Sequence, residues 1–114
     1  MPVPPMSVLF FKTESGNEPV KEWLKEFQPI DKKTIGEDIR TIQIGWPLGM
    51  PLVRKMDTDL WEIRVNISFG IARIFFTVSD NTMLLLHGFV KKSQSTPKPD
   101  LALAKTRLKQ SRRS

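Results

Sequence analysis

The sequence of 114 residues contains no cysteine and no tyrosine, and His87 is its single histidine. Without cysteine, neither a disulfide framework nor a thiolate metal site can form, which favours a reducing compartment such as the cytoplasm. No apolar run approaches the roughly 18 to 20 residues that cross a bilayer. The start, MPVPPMSVLFF, lacks the basic segment and the cleavage site of a signal peptide, so we expect no membrane association.

The length and the 39% hydrophobic content fit a single compact domain spanning residues 1–114. Residues 1–5 are rich in proline and are expected to form a disordered leader, with Met6 as a second candidate start. Residues 110–114 are expected to form a basic tail.

The net charge of +6 is concentrated at the C-terminal end. Residues 1–87 have a balance of −1, whereas residues 88–114 hold eight basic residues against Asp100 alone, a balance of +7. Such an excess favours a polyanion such as nucleic acid, an acidic partner protein or an anionic membrane, although a solvated basic tail explains it equally well.

The apolar patterns predict two helices early in the chain. Val20, Trp23, Leu24 and Phe27 follow the spacing of one buried helical face, with Asn17 as N-cap and Pro29 as the end. Ile35, Ile39, Ile42 and Trp46 continue the pattern in a second helix, for which Asp31 is the expected N-cap.

The remainder of the chain predicts strands and a final helix. Residues 60–67 alternate between apolar and polar positions, and residues 71–78 and 83–90 are continuously apolar, as expected of central strands. Residues 7–12 and 52–56 are shorter strands, and a helix follows Pro99. The predicted fold class is therefore α+β, with two N-terminal helices packed on a mostly antiparallel, twisted sheet of four to five strands, and a C-terminal helix.

Common catalytic motifs are absent from the sequence. There is no HExxH, P-loop or GxSxG motif, and His87 lies inside an apolar strand, where a histidine hydrogen-bonded within the core is the better explanation. Arg73 is more unusual, because its strand, GIARIFFTV, is otherwise apolar. An arginine there must find an anion, which is either an internal carboxylate such as Glu62 or a bound phosphate.

Four successive predicted strands supply cations that could meet at one site. Arg64 lies on the polar face of the strand before Arg73, and the guanidinium group suits bidentate phosphate recognition. The alternative is a set of solvated charges on unrelated faces, since a period of two decides facing only when the register is known. The other cations of these strands are Arg54, Lys55, Lys91 and Lys92.

Three segments in this order closely resemble RelE/HigB-like toxins of type II toxin–antitoxin pairs, particularly their phage-derived branch. The segments are DLWEIRV, GIARIFF and LLLHGFVKKSQSTPKPDLALAKTRL, and the likeness covers roughly residues 6–110. The resemblance implies a RelE/ParE-like fold and an endoribonuclease that cuts messenger RNA at the ribosome. It also implies a cognate helix-turn-helix antitoxin, which should cover the cationic face or displace the final helix.

The resemblance implies a metal-independent reaction without a cofactor, in which the 2′-hydroxyl of RNA attacks the neighbouring phosphate to give a 2′,3′-cyclic phosphate. The reaction needs a base, cations around the phosphate and an acid for the leaving oxygen. Arg73 matches the central arginine of the family and Arg64 a basic residue of the preceding strand. Lys91 and Lys92 match the basic residue after the last strand. The predicted RNA-contacting residues are Arg54, Lys55, Ser93 and Lys98.

Two departures from the family pattern leave the general base open. Glu62 stands where RelE-like enzymes tend to have lysine, and it could act as a base or form a salt bridge with Arg64 or Arg73. The aromatic or histidine residue expected near the final helix is missing, because that stretch reads Ser-Thr-Pro-Lys at 95–98. Two other functions are compatible with the sequence, a ParE-like inhibitor of DNA gyrase on the same scaffold and a non-catalytic basic module that binds RNA or protein.

Overall fold

The computed structural model of the protein describes residues 4–91 and 98–113. Its elements follow the predicted order β-α-α-β-β-β-β-α, and the predicted α+β class is confirmed. The elements are β1 (Ser7–Phe10), α1 (Pro19–Lys25), α2 (Pro29–Gly45), β2 (Val53–Asp57), β3 (Leu60–Ile67), β4 (Gly70–Ser79), β5 (Thr82–Lys91) and α3 (Lys98–Arg113). None of these helices in the described ranges combines the length and the apolar character that a bilayer crossing requires.

The strands form one open sheet in the order β1-β5-β4-β3-β2. Among the strands of the described residues, β1 and β5 pair in parallel and the other three pairs are antiparallel, so the prediction of a mostly antiparallel sheet is confirmed. The continuously apolar β4 lies in the centre, where both of its faces are covered. Asp80 and Asn81 join β4 to β5 with φ of 49° and 56°, and such positive values suit the tight two-residue turn of a hairpin.

The two faces of the sheet pack against different helices. On one face, Ile63, Ile74 and Phe76 join α1 and α2 in the larger core cluster. On the other, Phe75 and Leu86 pack with apolar residues of α3. We call the second face the α3 face. Because side chains alternate along a strand, a polar residue between two positions of the larger core must lie on the α3 face.

A β-bulge in β5 decides which residues reach the α3 face. Phe75 pairs with His87, but the next residue of β4, Phe76, pairs with Leu85. Leu86 is therefore the extra residue, and beyond it the alternation of β5 is inverted. As a result, His87 and Lys91 lie on the α3 face, whereas a strict period of two from Leu85 would place them with the larger core.

The starts of both early helices differ from the prediction. Helix α1 begins at Pro19 after Glu18, without a side-chain cap from Asn17. Pro29 does not end α1 but is the first residue of α2, a position that proline favours because the helix needs no N–H there. Asp31 was predicted as an N-cap and instead is buried in the first turn, where it accepts hydrogen bonds from the Ser68 backbone N–H (3.0 Å) and hydroxyl (2.7 Å).

The C-terminal residues also differ from the prediction. Residues 110–113, predicted as a basic tail, continue α3 as far as Arg113. Arg112 in this last turn forms an ion pair of 2.8 Å with Asp59, so part of the predicted tail is attached to the β2–β3 turn. Residues 1–3 of the predicted leader lie outside the described residues.

Candidate functional site

The register of the sheet brings charged residues of four strands to the α3 face. Arg64 of β3 pairs directly with Arg73 of β4, and Arg54 of β2 pairs with Glu62. Lys91 of β5 pairs with Ile71, which lies two residues from Arg73 and on the same face. We call Arg54, Glu62, Arg64, Arg73 and Lys91 together the charged cluster.

An internal ion pair lies at the centre of the charged cluster. Arg73 Nη1 is 3.6 Å from Glu62 Oε2, and the two side chains are only 3% and 0% exposed. Of the two anions that the sequence left open for Arg73, the structure therefore shows the internal carboxylate. The separation exceeds that of a hydrogen bond, and neither carboxylate oxygen of Glu62 accepts one from the described residues. The ion pair is therefore buried, but its two charged groups are too far apart to form a hydrogen bond.

The cluster holds several buried polar atoms without hydrogen-bond partners in the described part of the chain. Besides the Glu62 oxygens, they are Arg64 Nε, Arg73 Nε and Lys91 Nζ. Buried donors normally find acceptors, and a burial without one costs about 1–3 kcal/mol for a neutral group and more for a charged one. The four cations of the cluster against the one carboxylate of Glu62 also leave an excess of positive charge, so this arrangement can accept an anion.

The surroundings of Lys91 change the pKa of its ammonium group. Its side chain is 5% exposed, and burial, followed by repulsion from Arg73, lowers the pKa of Lys91 below its ordinary value. Arg54 adds to the lowering, whereas Glu62 and Asp100 oppose it. A lysine with a lowered pKa can donate or accept a proton nearer to neutral pH than an exposed lysine can.

His87 links the charged cluster to α3. Its Nε2 lies 2.6 Å from Asp100 Oδ1 in the first turn of α3, and its ring packs beside those of Phe75 and Phe89, at centroid distances of 6.5 Å and 5.7 Å. The sequence predicted a hydrogen-bonded histidine but not the partner, because the contact joins two elements that no local spacing relates. Asp100 thereby lies close enough to Lys91 to influence its charge.

An open groove gives access to one edge of the charged cluster. The groove has a volume of about 410 Å³. It lies beside the part of β3 that does not pair with β2 and that borders α2 instead. Arg64, Asn66 and Ile71 line it on the sheet side, with Thr34 and Asp38 of α2 opposite. Burial, with a contribution from Glu37, raises the pKa of Asp38. We call this space the Arg64 groove.

The other predicted site residues are distributed differently. Lys55 pairs with Trp61, whose ring packs with Phe76 in the larger core, so Lys55 lies on the face opposite the charged cluster. Lys98 is exposed at the start of α3. Lys92 and Ser93 lie outside the described residues.

Several cations of α3 are engaged within the protein. Lys105 is 2.9 Å from Asp57, and its hydrogen bond lowers the pKa of Asp57. Arg107 donates to the Leu86 carbonyl oxygen at 2.9 Å, and its guanidinium lies 5.5 Å from the centre of the Phe11 ring. With the Arg112–Asp59 pair, these contacts show that much of the C-terminal charge docks the helix. No group of three or more His, Asp or Glu side chains in the described ranges is placed to hold a metal ion.

Comparison with known proteins places the chain in a family. Residues 22–109 match the family described as Phage derived protein Gp49-like (DUF891). The match spans the C-terminal part of α1, all of α2, the charged cluster and most of α3, and the chain belongs to this family. Gp49-like proteins are phage-derived proteins of toxin type associated with toxin–antitoxin pairs, which implies an antitoxin partner. No curated protein matches the chain.

Proposed function

We propose that this protein is a RelE/HigB-like toxin that cleaves messenger RNA at the ribosome, and that the charged cluster is its active site. The observation that supports the proposal is the convergence of Arg64, Arg73 and Lys91 on one face, each with a buried nitrogen that lacks a hydrogen-bond acceptor among the described residues. A phosphodiester supplies such acceptors and the missing negative charge. Work on translated message would take place in the cytoplasm, with messenger RNA and ribosomal RNA as partners.

The proposed reaction uses the RNA's own 2′-hydroxyl as nucleophile. The 2′-oxygen forms a bond to phosphorus, the bond from phosphorus to the 5′-oxygen breaks, and the products are a 2′,3′-cyclic phosphate and a free 5′-hydroxyl. Arg73 and Arg64 would stabilise the additional negative charge on the phosphate oxygens in the transition state. The chemistry requires no metal ion.

The proton transfers are assigned to the two ionisable groups beside Arg73. When Arg73 turns from Glu62 to a phosphate oxygen, the Glu62 carboxylate is left without its cation and can accept the proton of the 2′-hydroxyl. Lys91, whose pKa is lowered by burial and by Arg73, would give its proton to the leaving 5′-oxygen. Solvent then returns both groups to their starting states. The length of the Arg73–Glu62 pair, 3.6 Å, favours such an exchange of partners.

Induced expression of Arg73→Ala beside the wild type tests the proposal. We expect growth arrest and codon-phased cuts, mapped by primer extension on a translated message, with the wild type and neither with the variant. Arg40→Ala is the matched control, because Arg40 is exposed on α2. Truncation of Arg73 leaves Glu62 buried without its partner, which costs about 3–5 kcal/mol. Arg73→Lys therefore accompanies it as a variant that keeps the charge but loses the bidentate group, and circular dichroism checks folding.

The burial of Arg73 favours one rival. A ParE-like inhibitor of DNA gyrase would use this scaffold for protein contact, and in it an Arg73–Glu62 pair would serve only the core. The same experiment separates the two functions. Arrest without cuts in the wild type, and arrest that persists in Arg73→Lys, would contradict the nuclease and select the rival.

A further inference from the structure

An apolar groove lies between the two early helices and the β1 edge of the sheet. It has a volume of about 310 Å³ and is open to solvent. Its apolar lining comes from Phe10 of β1, Leu24 of α1, and Ile35 and Ile39 of α2, which belong to the larger core or pack against it. The groove therefore opens on the side of the sheet opposite the charged cluster. We call it the α1–α2 groove.

Three lysines accompany this apolar lining. Lys21 and Lys25 of α1 and Lys32 of α2 line the groove, and none of the acidic residues in the described ranges does so. Lys21 forms a partly exposed pair of 3.8 Å with Glu18, whereas Lys25 and Lys32 have no ion pair in the described part of the chain. Residues 1–87 have a charge balance of −1, so this concentration of positive charge is local. A segment that binds here should combine apolar side chains with acidic flanks.

Gly36 lines the same groove without a side chain. It lies in the middle of a helix of 17 residues, where glycine is less favourable than alanine because its backbone loses more freedom. A Cβ placed on Gly36 would have no neighbour within 4 Å in the described structure, so packing inside the protein does not require glycine here. A glycine lets another chain approach the helix backbone closely. A docked partner therefore explains a residue that the fold itself does not.

We infer that the α1–α2 groove is a docking site for an acidic amphipathic segment of the antitoxin, whose chain passes close to Gly36. An antitoxin is the partner that the family implies. An amphipathic helix that lays its apolar face into a groove is a recurrent mode of recognition, and acidic residues beside that face would meet the three lysines. The inference goes beyond the proposed function, because docking on this face of the sheet requires no cleavage of RNA.

The first probe is a synthetic amphipathic helix of about four turns, with leucine on one face and glutamate on both flanks. In the comparison peptide, lysine replaces glutamate. We expect the wild type to bind the acidic peptide at least about 10-fold more tightly than the lysine peptide. Charge reversal in the double variant Lys25→Glu/Lys32→Glu should remove that preference. Lys33→Glu, on the same helix but outside the groove, is the matched control.

Gly36→Ala separates docking from stability. Alanine should raise the urea concentration at the unfolding midpoint, because it is the better helix former and its methyl group meets no described atom. The same methyl group should weaken binding of the acidic peptide, and of the antitoxin isolated from its complex with the wild type, by about 5- to 150-fold, because it enters the space of the docked segment. Thr41→Ala, at an exposed position of α2 outside the groove, also improves helix propensity and should leave both affinities unchanged.

The outcomes distinguish the occupants of the groove. If the antitoxin binds Gly36→Ala and Lys25→Glu/Lys32→Glu as tightly as it binds the wild type, the inference is wrong. If the lysine variant loses RNA affinity and the peptides do not bind, the groove contacts RNA and the inference is wrong. If Gly36→Ala breaks self-association of the protein but not antitoxin binding, the groove joins two copies and the inference is again wrong. Failure of the wild type to cleave message would overturn the proposed function alone and leave a positive docking result in force.

Discussion

At the scale of single residues, the central feature is a set of cations whose charge and hydrogen-bond donors are not fully matched by neighbouring acidic groups and acceptors. Arg73 has one carboxylate at 3.6 Å and a second buried nitrogen without a partner in the described ranges. Lys91 lies near Arg73, and its Nζ is also buried without a hydrogen-bond partner in the described ranges. A protein that needed only stability would gain by apolar residues at such positions, because desolvation of charges is costly. Their presence favours a function in binding anions.

Lys91 provides a pH-dependent test at this scale. Because burial and Arg73 lower the pKa of Lys91 in the folded protein, the unfolded chain binds more protons between the folded and unfolded pKa values. Across that interval the free energy of unfolding should rise as pH increases, whereas RNA affinity should fall because the ammonium charge is lost. Urea denaturation and RNA titration from neutral to alkaline pH measure the two trends.

Lys91→Arg is the control for both trends, since arginine keeps its charge over the whole interval. The difference in pH dependence between the wild type and this variant isolates the contribution of Lys91 from that of the other lysines. Equal pH dependence of RNA affinity in the two proteins would show that the Lys91 ammonium takes no part in binding.

At the scale of elements, the early helices and the sheet are positioned by contacts that join distant parts of the chain. Asp31 connects the first turn of α2 to the β3–β4 turn through Ser68. Asp31→Ala would remove both hydrogen bonds from Ser68 to the buried carboxylate, and we expect it to lower the free energy of unfolding by about 1.5–3 kcal/mol. Chemical denaturation with urea measures this change.

Glu37→Ala is the comparison on the same helix. The exposed Glu37 side chain forms a pair of 4.0 Å with Lys33, so its removal should change stability by less than about 0.5 kcal/mol. An Asp31→Ala loss no larger than that of Glu37→Ala would show that the buried contact does not fix the turn.

The elements also show what the sequence can and cannot predict. Periodicity was sufficient for the order of elements, and the alternation in residues 60–67 matches β3, which spans Leu60–Ile67. The facing of Lys91 was not predictable, because it depends on the bulge at Leu86, and no glycine or proline marks that position. Asp31 fits an N-cap pattern, yet its partner Ser68 lies 37 residues away, and local pattern carries no information on that contact.

The candidate site was predictable in part for the same reason. Arg73 was recognisable because an arginine in an apolar strand needs an anion, and its pairing with Arg64 follows from two antiparallel strands joined by a short turn. Lys55 was misplaced in the predicted set, since the facing of a residue in β2 depends on its register with β3. The Asp100–His87 contact comes from tertiary packing alone.

At the scale of the whole molecule, the C-terminal excess of charge has two parts. Lys105 and Arg112 pair with Asp57 and Asp59, so these cations attach α3 to the β2–β3 turn. The cations of the sheet face the same helix from below and retain unpaired nitrogens in the described ranges. Net charge alone therefore does not distinguish the two sets, because ion pairs with Asp57 and Asp59 partly neutralise the helix, whereas the four cations of the charged cluster have the single carboxylate of Glu62.

The most direct test of the central claim observes the arginine side chains themselves. In ¹⁵N NMR of the Nε–Hε groups, addition of a short single-stranded RNA with 2′-O-methyl groups, which cannot be cleaved, should shift the signals of Arg64 and Arg73 and leave that of exposed Arg40 in place. Such a result would mean that the phosphodiester binds where the two strands bring their guanidinium groups together. Saturation with RNA that leaves the Arg73 signal unchanged would contradict the account.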